Sequence, residues 1–305
     1  MRKVDKIVKK GDCTGLDRLD PWRDKTAINN EKWMNFTLTE DGVLRISGNT
    51  WLSAVPTPDA TPYFDEPIGP PTGWSEYESQ FKNMDFHTVI IEDGVIGLGE
   101  KCFKDCKSFK KIIFNGKIPT IRKSFAEGSP FEYTIKEELK FIGTETNPLY
   151  YLMGCTDDFQ KEKLIIPEGT IRIADEAFSH KKFIKDVVFP STLEFAGWYT
   201  FDGTSIKDVF IPEGKLAYDE TLLAFEGWTI KLESISLPYS MYQIYKEGKD
   251  TGLVEAWNST CKIIYRNPDD SIAEILEPKP LDHNNIPPTE YLETNPDKDS
   301  EELPF

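Results

Sequence analysis

The chain has 305 residues and a mass of 34.9 kDa, of which 39% are hydrophobic and 29% charged. This length allows one large domain or two small ones, and it excludes a disulfide-stapled miniprotein. With 36 basic and 52 acidic residues, the formal net charge of −16 repels nucleic-acid phosphates and anionic membrane surfaces. The apolar runs are too short to span a bilayer. We therefore expect neither nucleic-acid binding nor membrane insertion.

The N-terminal segment, residues 1–32, is predicted to be a basic arm. Its basic character comes from five residues near the start: Arg2, Lys3, Lys6, Lys9 and Lys10. No run of seven or more apolar residues and no small-residue cleavage site follows them, so the segment does not resemble a secretory signal. Residues 54–86 are rich in proline, glycine and aromatic residues. We expect them to form an irregular cover over the first repeat.

Five cysteines are scattered along the chain, and none belongs to a CxxC pair. They are Cys13, Cys102, Cys106, Cys155 and Cys261. An odd number without paired spacing indicates neither a disulfide framework nor a zinc site. We expect small, buried, reduced side chains.

Residues 87–266 contain an internal repeat. Prolines follow successive short apolar runs at Pro167, Pro190, Pro212 and Pro238, with steps of 23, 22 and 26 residues. A period this short is typical of one coil of a solenoid. Each coil contains a short strand, a proline or glycine stop, a second apolar element and a turn centred on phenylalanine. Stacked coils would place equivalent strands in a parallel ladder over one continuous core.

The motif IPEG-x-I-x-I-x-x-x-AF spans Ile166 to Phe178 and is followed by a return of the form V-x-F-P. This pattern resembles the BspA-like class of leucine-rich repeats. Residues 102–106, CFKDC, match the AFxxC turn of that class with cysteine in place of alanine. The resemblance covers about residues 87 to 266. It implies a mainly β, right-handed leucine-rich-repeat solenoid with short parallel strands.

Both ends of the array also resemble that family. Residues 33–53 are similar to the β-hairpin that precedes such arrays, so residues 33–86 are interpreted as a hairpin cap followed by the cover. Residues 236–266 resemble the terminal unit that closes them. Two departures, at 126–162 and 216–232, are interpreted as projecting loops. Residues 267–305 contain eleven acidic and two basic residues and are predicted to be a disordered acidic, proline-rich tail.

No catalytic or cofactor motif is present. The three histidines, His87, His180 and His283, lack a serine, cysteine or aspartate at motif spacing. The acidic tail residues lack the glycine turn of a calcium loop. We therefore expect a protein that is not an enzyme and has no metal, no cofactor and no catalytic residues.

Alternate side chains of a strand face opposite ways, so the repeated strands predict an outward row. An apolar stripe is left outside if twelve side chains point inward, namely Val89, Ile91, Ile112, Phe114, Leu164, Ile166, Val187, Phe189, Val209, Ile211, Ile235 and Leu237. It consists of Ile90, Ile113, Ile165, Val188 and Phe210, and it ends at Ser236. We predict these five apolar residues as a partner-binding face. The alternatives are that residues 54–86 or the tail cover the stripe, or that the strand register differs.

Aromatic residues also occur in the irregular turns of the later units. They are Trp198, Tyr199, Tyr218, Phe225 and Trp228. Aromatic side chains in turns are common at binding sites. We expect these instead to cap the core where the standard phenylalanine turn is missing.

These features predict non-catalytic binding of another protein. The BspA-like resemblance implies adhesion or recognition at the cell surface or after secretion, with host or neighbouring-cell proteins as partners. The absence of a signal-like segment favours the alternative, a cytoplasmic or virion-associated assembly component. In that case the solenoid face and the terminal tails would make the contacts, with possible self-association through the tails.

Overall fold

The computed structural model describes residues 6–13, 33–52, 54–56, 77–215, 232–247 and 261–278. In these ranges the protein is mainly β, with 21 strands and one helix. The chain divides into two compact units, Met1–Ile206 with Gly214–Ile230, and Lys207–Glu213 with Lys231–Phe305.

The first unit contains most of the strands. They are β1 (Ile7–Asp12), β2 (Met34–Thr39), β3 (Val43–Gly48), β4 (Trp51–Leu52), β5 (Val55–Pro56), β6 (Tyr77–Glu78), β7 (Thr88–Glu92), β8 (Gly97–Leu98), β9 (Lys111–Asn115), β10 (Thr120–Ile121), β11 (Thr134–Lys136), β12 (Leu139–Ile142), β13 (Tyr151–Cys155), β14 (Lys163–Ile165), β15 (Arg172–Ile173), β16 (Asp186–Val188) and β17 (Phe195–Ala196).

The first unit begins with the predicted hairpin. Strands β2 and β3 pair antiparallel around a turn at Asp41 and Gly42, where Gly42 adopts a φ of 77°. A positive φ suits glycine because it has no Cβ. Met34 and Leu44 are fully buried, and buried and accessible side chains alternate along both strands. This alternation fixes which face of the hairpin packs on the core.

The repeated strands stack in parallel in the predicted register. Strand β7 pairs with β3 and β9, and β14 pairs with β16. Of the twelve side chains predicted to point inward, all but the half-buried Phe114 are buried. The eleven are Val89, Ile91, Ile112, Leu164, Ile166, Val187, Phe189, Val209, Ile211, Ile235 and Leu237. The inward alternation is therefore confirmed, whereas one continuous right-handed solenoid stays a prediction.

A second row of very short strands follows the repeated strands. In one sheet β8 lies between β4 and β10, and in another β15 lies between β13 and β17, all in parallel. Backbone hydrogen bonds continue beyond these strands into the turns. Phe103 N–H donates to Phe125 O at 2.8 Å, and Phe178 N–H donates to Thr200 O at 2.9 Å. Successive turns are therefore tied together by their backbones.

Phenylalanine side chains fill the space inside these turns. The ring of Phe103 stacks on Phe81 at 5.6 Å and lies 4.9 Å from Phe109, measured between centroids. Further along the unit, Phe178 stacks on Phe201 at 5.8 Å. These rings are fully buried. The predicted phenylalanine-centred turn is thus the core of the repeat.

Residues 126–162 were interpreted as a degenerate unit with a projecting loop, and the structure differs in part. They contain β11, β12 and β13, which form an antiparallel ladder, and β13 then continues in parallel with β15. Leu139, Phe141 and Ile142 are buried on β12, and only Lys140 between them is half-buried. The insertion therefore has its own packed face.

The second unit consists of β18 (Asp208–Phe210), β19 (Ser234–Leu237), α1 (Tyr239–Lys246), β20 (Lys262–Arg266) and β21 (Ile272–Leu276). Strands β18, β19 and β20 are parallel, and β21 returns antiparallel to β20. Helix α1 packs against β20, where the Tyr242 and Tyr265 ring centroids lie 5.0 Å apart.

Each terminal segment contains one strand. Strand β1 lies within the predicted arm and pairs with β2, and β21 lies within the predicted tail. A turn in which Asn267 N–H donates to Ser271 O at 2.8 Å leads the chain back from β20 to β21. Residues 14–32 and 279–305 lie outside the described part of the chain, and the division of the chain at 32, 86 and 266 stays a prediction.

The cysteine environments predict selective thiol chemistry. Burial raises the pKa of Cys13 to about 12 and that of Cys106 to about 11, and it raises the pKa of the fully buried Cys102 well above its usual value. Cys155 is only half-buried, and Lys181 and Lys140 oppose the effect of its burial. Because the thiolate is the reactive form, we expect iodoacetamide near neutral pH to label Cys155 first. Peptide mass spectrometry over time checks this order, which equal labelling of Cys102 would contradict.

Candidate protein-binding face

The first part of the predicted face lies on β7 and β9. Ile90 and Ile113 are in register on these neighbouring strands, and Arg45 on β3 is in register with Ile90. Ile113 is 36% exposed and Ile90 is half-buried. Glu92 pairs with Arg45 and accepts a hydrogen bond from Asn115 Nδ2 at 3.1 Å. A small apolar centre therefore has a polar rim.

The second part repeats this arrangement on β14 and β16. Ile165, 53% exposed, is in register with the half-buried Val188. On one side, Lys163 Nζ lies 2.9 Å from Asp186 Oδ2. On the other, Ser191 N–H donates to Glu168 Oε1 at 2.9 Å, and this hydrogen bond lowers the pKa of the Glu168 carboxyl. Because Lys163, Asp186 and Glu168 already have partners within the chain, the exposed Ile165 side chain is the group left for another protein to cover.

The five predicted residues do not form one continuous stripe. In the described residues β9 ends one sheet and β14 ends another, and the insertion with β11, β12 and β13 separates them in sequence. Because the insertion pairs with the second row of strands, no strand is added to β9. Strand β11 leaves its own isoleucine, Ile135, 54% exposed. The first unit thus presents two apolar pairs.

Phe210, in the second unit, is half-buried and partly covered. The guanidinium carbon of Arg266 lies 4.8 Å from the centroid of the Phe210 ring. Arg266 also donates to Ser236 Oγ at 3.1 Å and to Asp270 O at 2.8 Å, which fixes its position over the ring. The cover predicted for the stripe was residues 54–86 or the tail, whereas Phe210 is covered by a residue of β20. Phe210 is therefore the weakest of the five as a partner contact.

Two aromatic residues expected to cap the core are instead exposed. Trp198 is 53% and Tyr199 36% exposed, because Phe201 occupies the core position of that turn. Tyr199 has a φ of 53°, so the backbone itself turns outward here. Tyr218, Phe225 and Trp228 lie outside the described residues. Sequence spacing could have shown this, since Phe201 follows Ala196 as Phe178 follows Ile173.

The polar residues considered for chemistry make structural contacts. His87 bridges Thr88 Oγ1 and Asp41 O at 2.8 and 2.9 Å from its two ring nitrogens. In the described ranges, no three histidine, cysteine or acidic side chains are grouped as metal ligands would be. Helix α1 has eight residues, and no described helix has the length and apolarity needed to cross a bilayer. His283 lies outside the described residues.

These strands, turns and phenylalanine cores define a mainly β protein with leucine-rich repeats. The family model for the BspA type leucine-rich repeat region matches residues 76–147 and 155–248, with 6 copies. These matches cover more than half of the chain. The chain therefore belongs to the BspA-type leucine-rich repeat family, as the sequence motifs predicted.

Several solved structures are similar to this chain. A leucine-rich cell surface protein from Faecalibacterium prausnitzii A2-165 is 14% identical, with 70% of this chain and 88% of that chain covered and a TM-score of 0.29. A leucine-rich repeat protein from Bacteroides ovatus is 19% identical, with 69% and 64% covered and a TM-score of 0.24. The pneumococcal vaccine antigen PcpA is 12% identical, with 68% and 80% covered and a TM-score of 0.26. No curated protein matches the chain in sequence.

Proposed function

We propose that this chain is a non-catalytic protein-binding module that contacts its partner through Ile90 and Ile113 on one sheet and Ile165 and Val188 on another. The observation that carries the proposal is the exposure of Ile113 and Ile165, at 36% and 53%, at the centres of these pairs. Apolar side chains ringed by polar groups are the usual anatomy of a protein interface.

The charges around these pairs support a protein partner. Arg45, Lys163 and their acidic partners form ion pairs across neighbouring strands, so the rim is polar without a surplus of basic groups. Nucleic acid would need a surplus of basic groups, and the chain as a whole carries a net charge of −16. A polar rim with an aliphatic centre suits a protein surface of the same kind.

The finer proposal is a role in adhesion or recognition at the cell surface or after secretion. It rests on membership of the BspA-type family, which implies host or neighbouring-cell proteins as partners. The fold alone does not determine the partner. The proposal therefore needs a test on cells with a variant confined to the two apolar pairs.

We expect Ile113→Asp with Ile165→Asp to abolish binding, because a carboxylate at the centre of each pair must be desolvated when the partner covers it. Fluorescent beads coated with the full chain are incubated with cultured epithelial or bacterial cells, and bead retention is counted. Retention should fall to the level of uncoated beads. Thermal stability should change little, since surface substitutions usually stay within about 0.5 kcal/mol.

The matched control is Ile96→Asp, because Ile96 is 52% exposed but lies before β8 rather than on the repeated strands. It should bind cells as the unmodified chain does. Equal loss of retention in the control, or normal retention of the double variant, would contradict binding through this face.

A further inference from the structure

The first and last strands of the described chain are both edge strands. Strand β1 is the outermost strand of its five-stranded sheet and pairs only with β2. Strand β21 pairs only with β20. In the described residues, each therefore has one side without a strand partner, along which backbone N–H and C=O groups are available for a further strand.

The open strand β1 is basic and carries exposed aliphatic side chains. Ile7 and Val8 are each 54% exposed. Three lysines, at positions 6, 9 and 10, accompany a single acid, Asp12, between residues 6 and 13. Lys6 pairs with Glu40 at 3.5 Å, whereas Lys9 and Lys10 are exposed. Strand β1 thus presents a positive edge.

The open strand β21 has the opposite charge. Ile272 is 56% and Ile275 42% exposed. Residues 267–278 contain four acids and no basic residue. The acids are Asp269, Asp270, Glu274 and Glu277. Glu274 accepts a hydrogen bond from Tyr242 at 2.8 Å and lies 3.0 Å from Lys246 Nζ, and these contacts lower the pKa of its carboxyl.

We propose that a second copy of this chain occupies these edges, with β1 of one copy adding to β21 of the next. Strand addition would satisfy the open backbone groups on both sides. Lysines would then lie opposite acids, and such opposite-charge pairs across strands are stabilising. The exposed aliphatic residues of both edges would lose their contact with water.

The same charges disfavour the two symmetric arrangements. Pairing β1 with a second β1 would bring Lys9 and Lys10 of two copies together, and pairing β21 with a second β21 would bring Glu274 and the adjoining Glu277 of two copies together. Like charges across strands are destabilising. The remaining arrangement pairs β1 of one copy with β21 of another. In such a pair, one copy still has an open β21 edge and the other still has an open β1 edge. Association is therefore head-to-tail and gives rings or open chains of copies.

The pairing has a limited length. The register of β1 is irregular at Val8, and that of β21 is irregular at Ala273. Irregularities of this kind bend an edge and restrict pairing. The segments that can pair regularly with a strand of another copy are therefore Lys9–Asp12 of β1 and Glu274–Leu276 of β21. A few backbone hydrogen bonds assisted by charge give an association that depends on protein concentration and is weakened by salt.

Sedimentation velocity of the full chain tests this association. At low ionic strength the weight-average mass should rise with protein concentration, and at about 0.5 M salt it should return to the mass of the monomer, because the Debye length shortens to a few Å. A monomer at every concentration in low salt would overturn the proposal. An association that is indifferent to salt would overturn the role of charge.

The variant Lys9→Glu with Lys10→Glu makes β1 acidic, and it should be monomeric under conditions where the unmodified chain associates. It keeps its own β21, so it can still add to β1 of an unmodified copy. Excess variant should therefore reduce the oligomers of the unmodified chain to dimers. Lys107→Glu with Lys117→Glu is the control, because both lysines are exposed and belong to neither β1 nor β21. This control should associate normally and should not shorten the oligomers.

Circular dichroism shows whether each variant is folded. If the β1 variant does not fold, Glu277→Lys tests the β21 edge instead. Glu277 is exposed and its one described ion pair is with Lys262. Its substitution should weaken the association, and an unchanged mass profile would overturn the assignment of β21. This inference is independent of the proposed function, because cell binding is measured on Ile113 and Ile165, which neither edge variant touches.

Discussion

Replacing Phe103 with alanine should cost about 3–5 kcal/mol of the free energy of unfolding, the range for deleting a large aromatic side chain from a core. Phe103 is fully buried. Its ring centroid lies within 6.4 Å of four other phenylalanine centroids. These neighbours belong to three successive segments of the chain: Phe81 and Phe86, Phe109, and Phe125. Removing the ring leaves a cavity between repeats that rigid backbone ladders on both sides cannot close.

Urea titration followed by circular dichroism measures the loss. The matched control is Phe183→Ala, since Phe183 is half-buried and has one described ring neighbour, Phe159, at 6.0 Å. The control should lose clearly less stability, because less contact is removed. Equal losses from the two variants would show that the phenylalanine turns are not the centre of the core.

Gly197→Ala should cost about 3 kcal/mol, the upper part of the range for inserting a methyl group into a packed interior. A Cβ at this position would lie 2.4 Å from the backbone nitrogen of Asp175 and 2.7 Å from its Cα. Gly197 cannot move away, because its N–H donates to Ile173 O at 3.0 Å. Moving Asp175 instead would break the hydrogen bond that its Oδ1 accepts from Trp198 N–H at 3.0 Å, and its ion pair with Arg122.

Gly169→Ala is the matched control for this variant. Gly169 has a φ of +94°, but a Cβ there would meet only Asn147 Oδ1, at 3.5 Å. Its substitution therefore adds conformational strain of about 1–2 kcal/mol without a backbone clash. Thermal or urea unfolding of both variants separates the two effects. If Gly169→Ala lowered the free energy of unfolding more than Gly197→Ala, close approach between repeats would not explain the need for glycine at position 197.

The repeat could be predicted from the sequence because the turn-forming residues recur with the same period as the short apolar runs. Proline or glycine after each strand stops the ladder at equal intervals, and the alternation of Val187 and Phe189 with Val188 assigns one face to the core. That assignment is confirmed at eleven of twelve positions. The phenylalanine turn follows from the same spacing. The choice of partner-binding residues rests on the outward face of this register and stays a prediction.

What the sequence could not show depends on contacts outside the period. Strands β1 and β21 lie in segments whose overall charge indicates an arm and a tail, and only pairing with β2 and β20 orders them. Arg266 covers Phe210 from a strand 56 residues later, and no motif marks that contact. The insertion at 126–162 divides the outward face because its strands pair elsewhere, which loop length alone does not determine.

Within the repeats, many backbone hydrogen bonds join residues one repeat apart. Lys185 N–H donates to Glu162 O, and Glu194 N–H donates to Ile171 O, in both cases across 23 residues. Each coil therefore recognises only the coil before it and the coil after it. If one 23-residue segment between β14 and β16 were duplicated, every coil would still contact coils of the same type on both sides. Such a duplication would lengthen the outward face by about 4.8 Å, so the reach of this surface can evolve in whole steps without a new core.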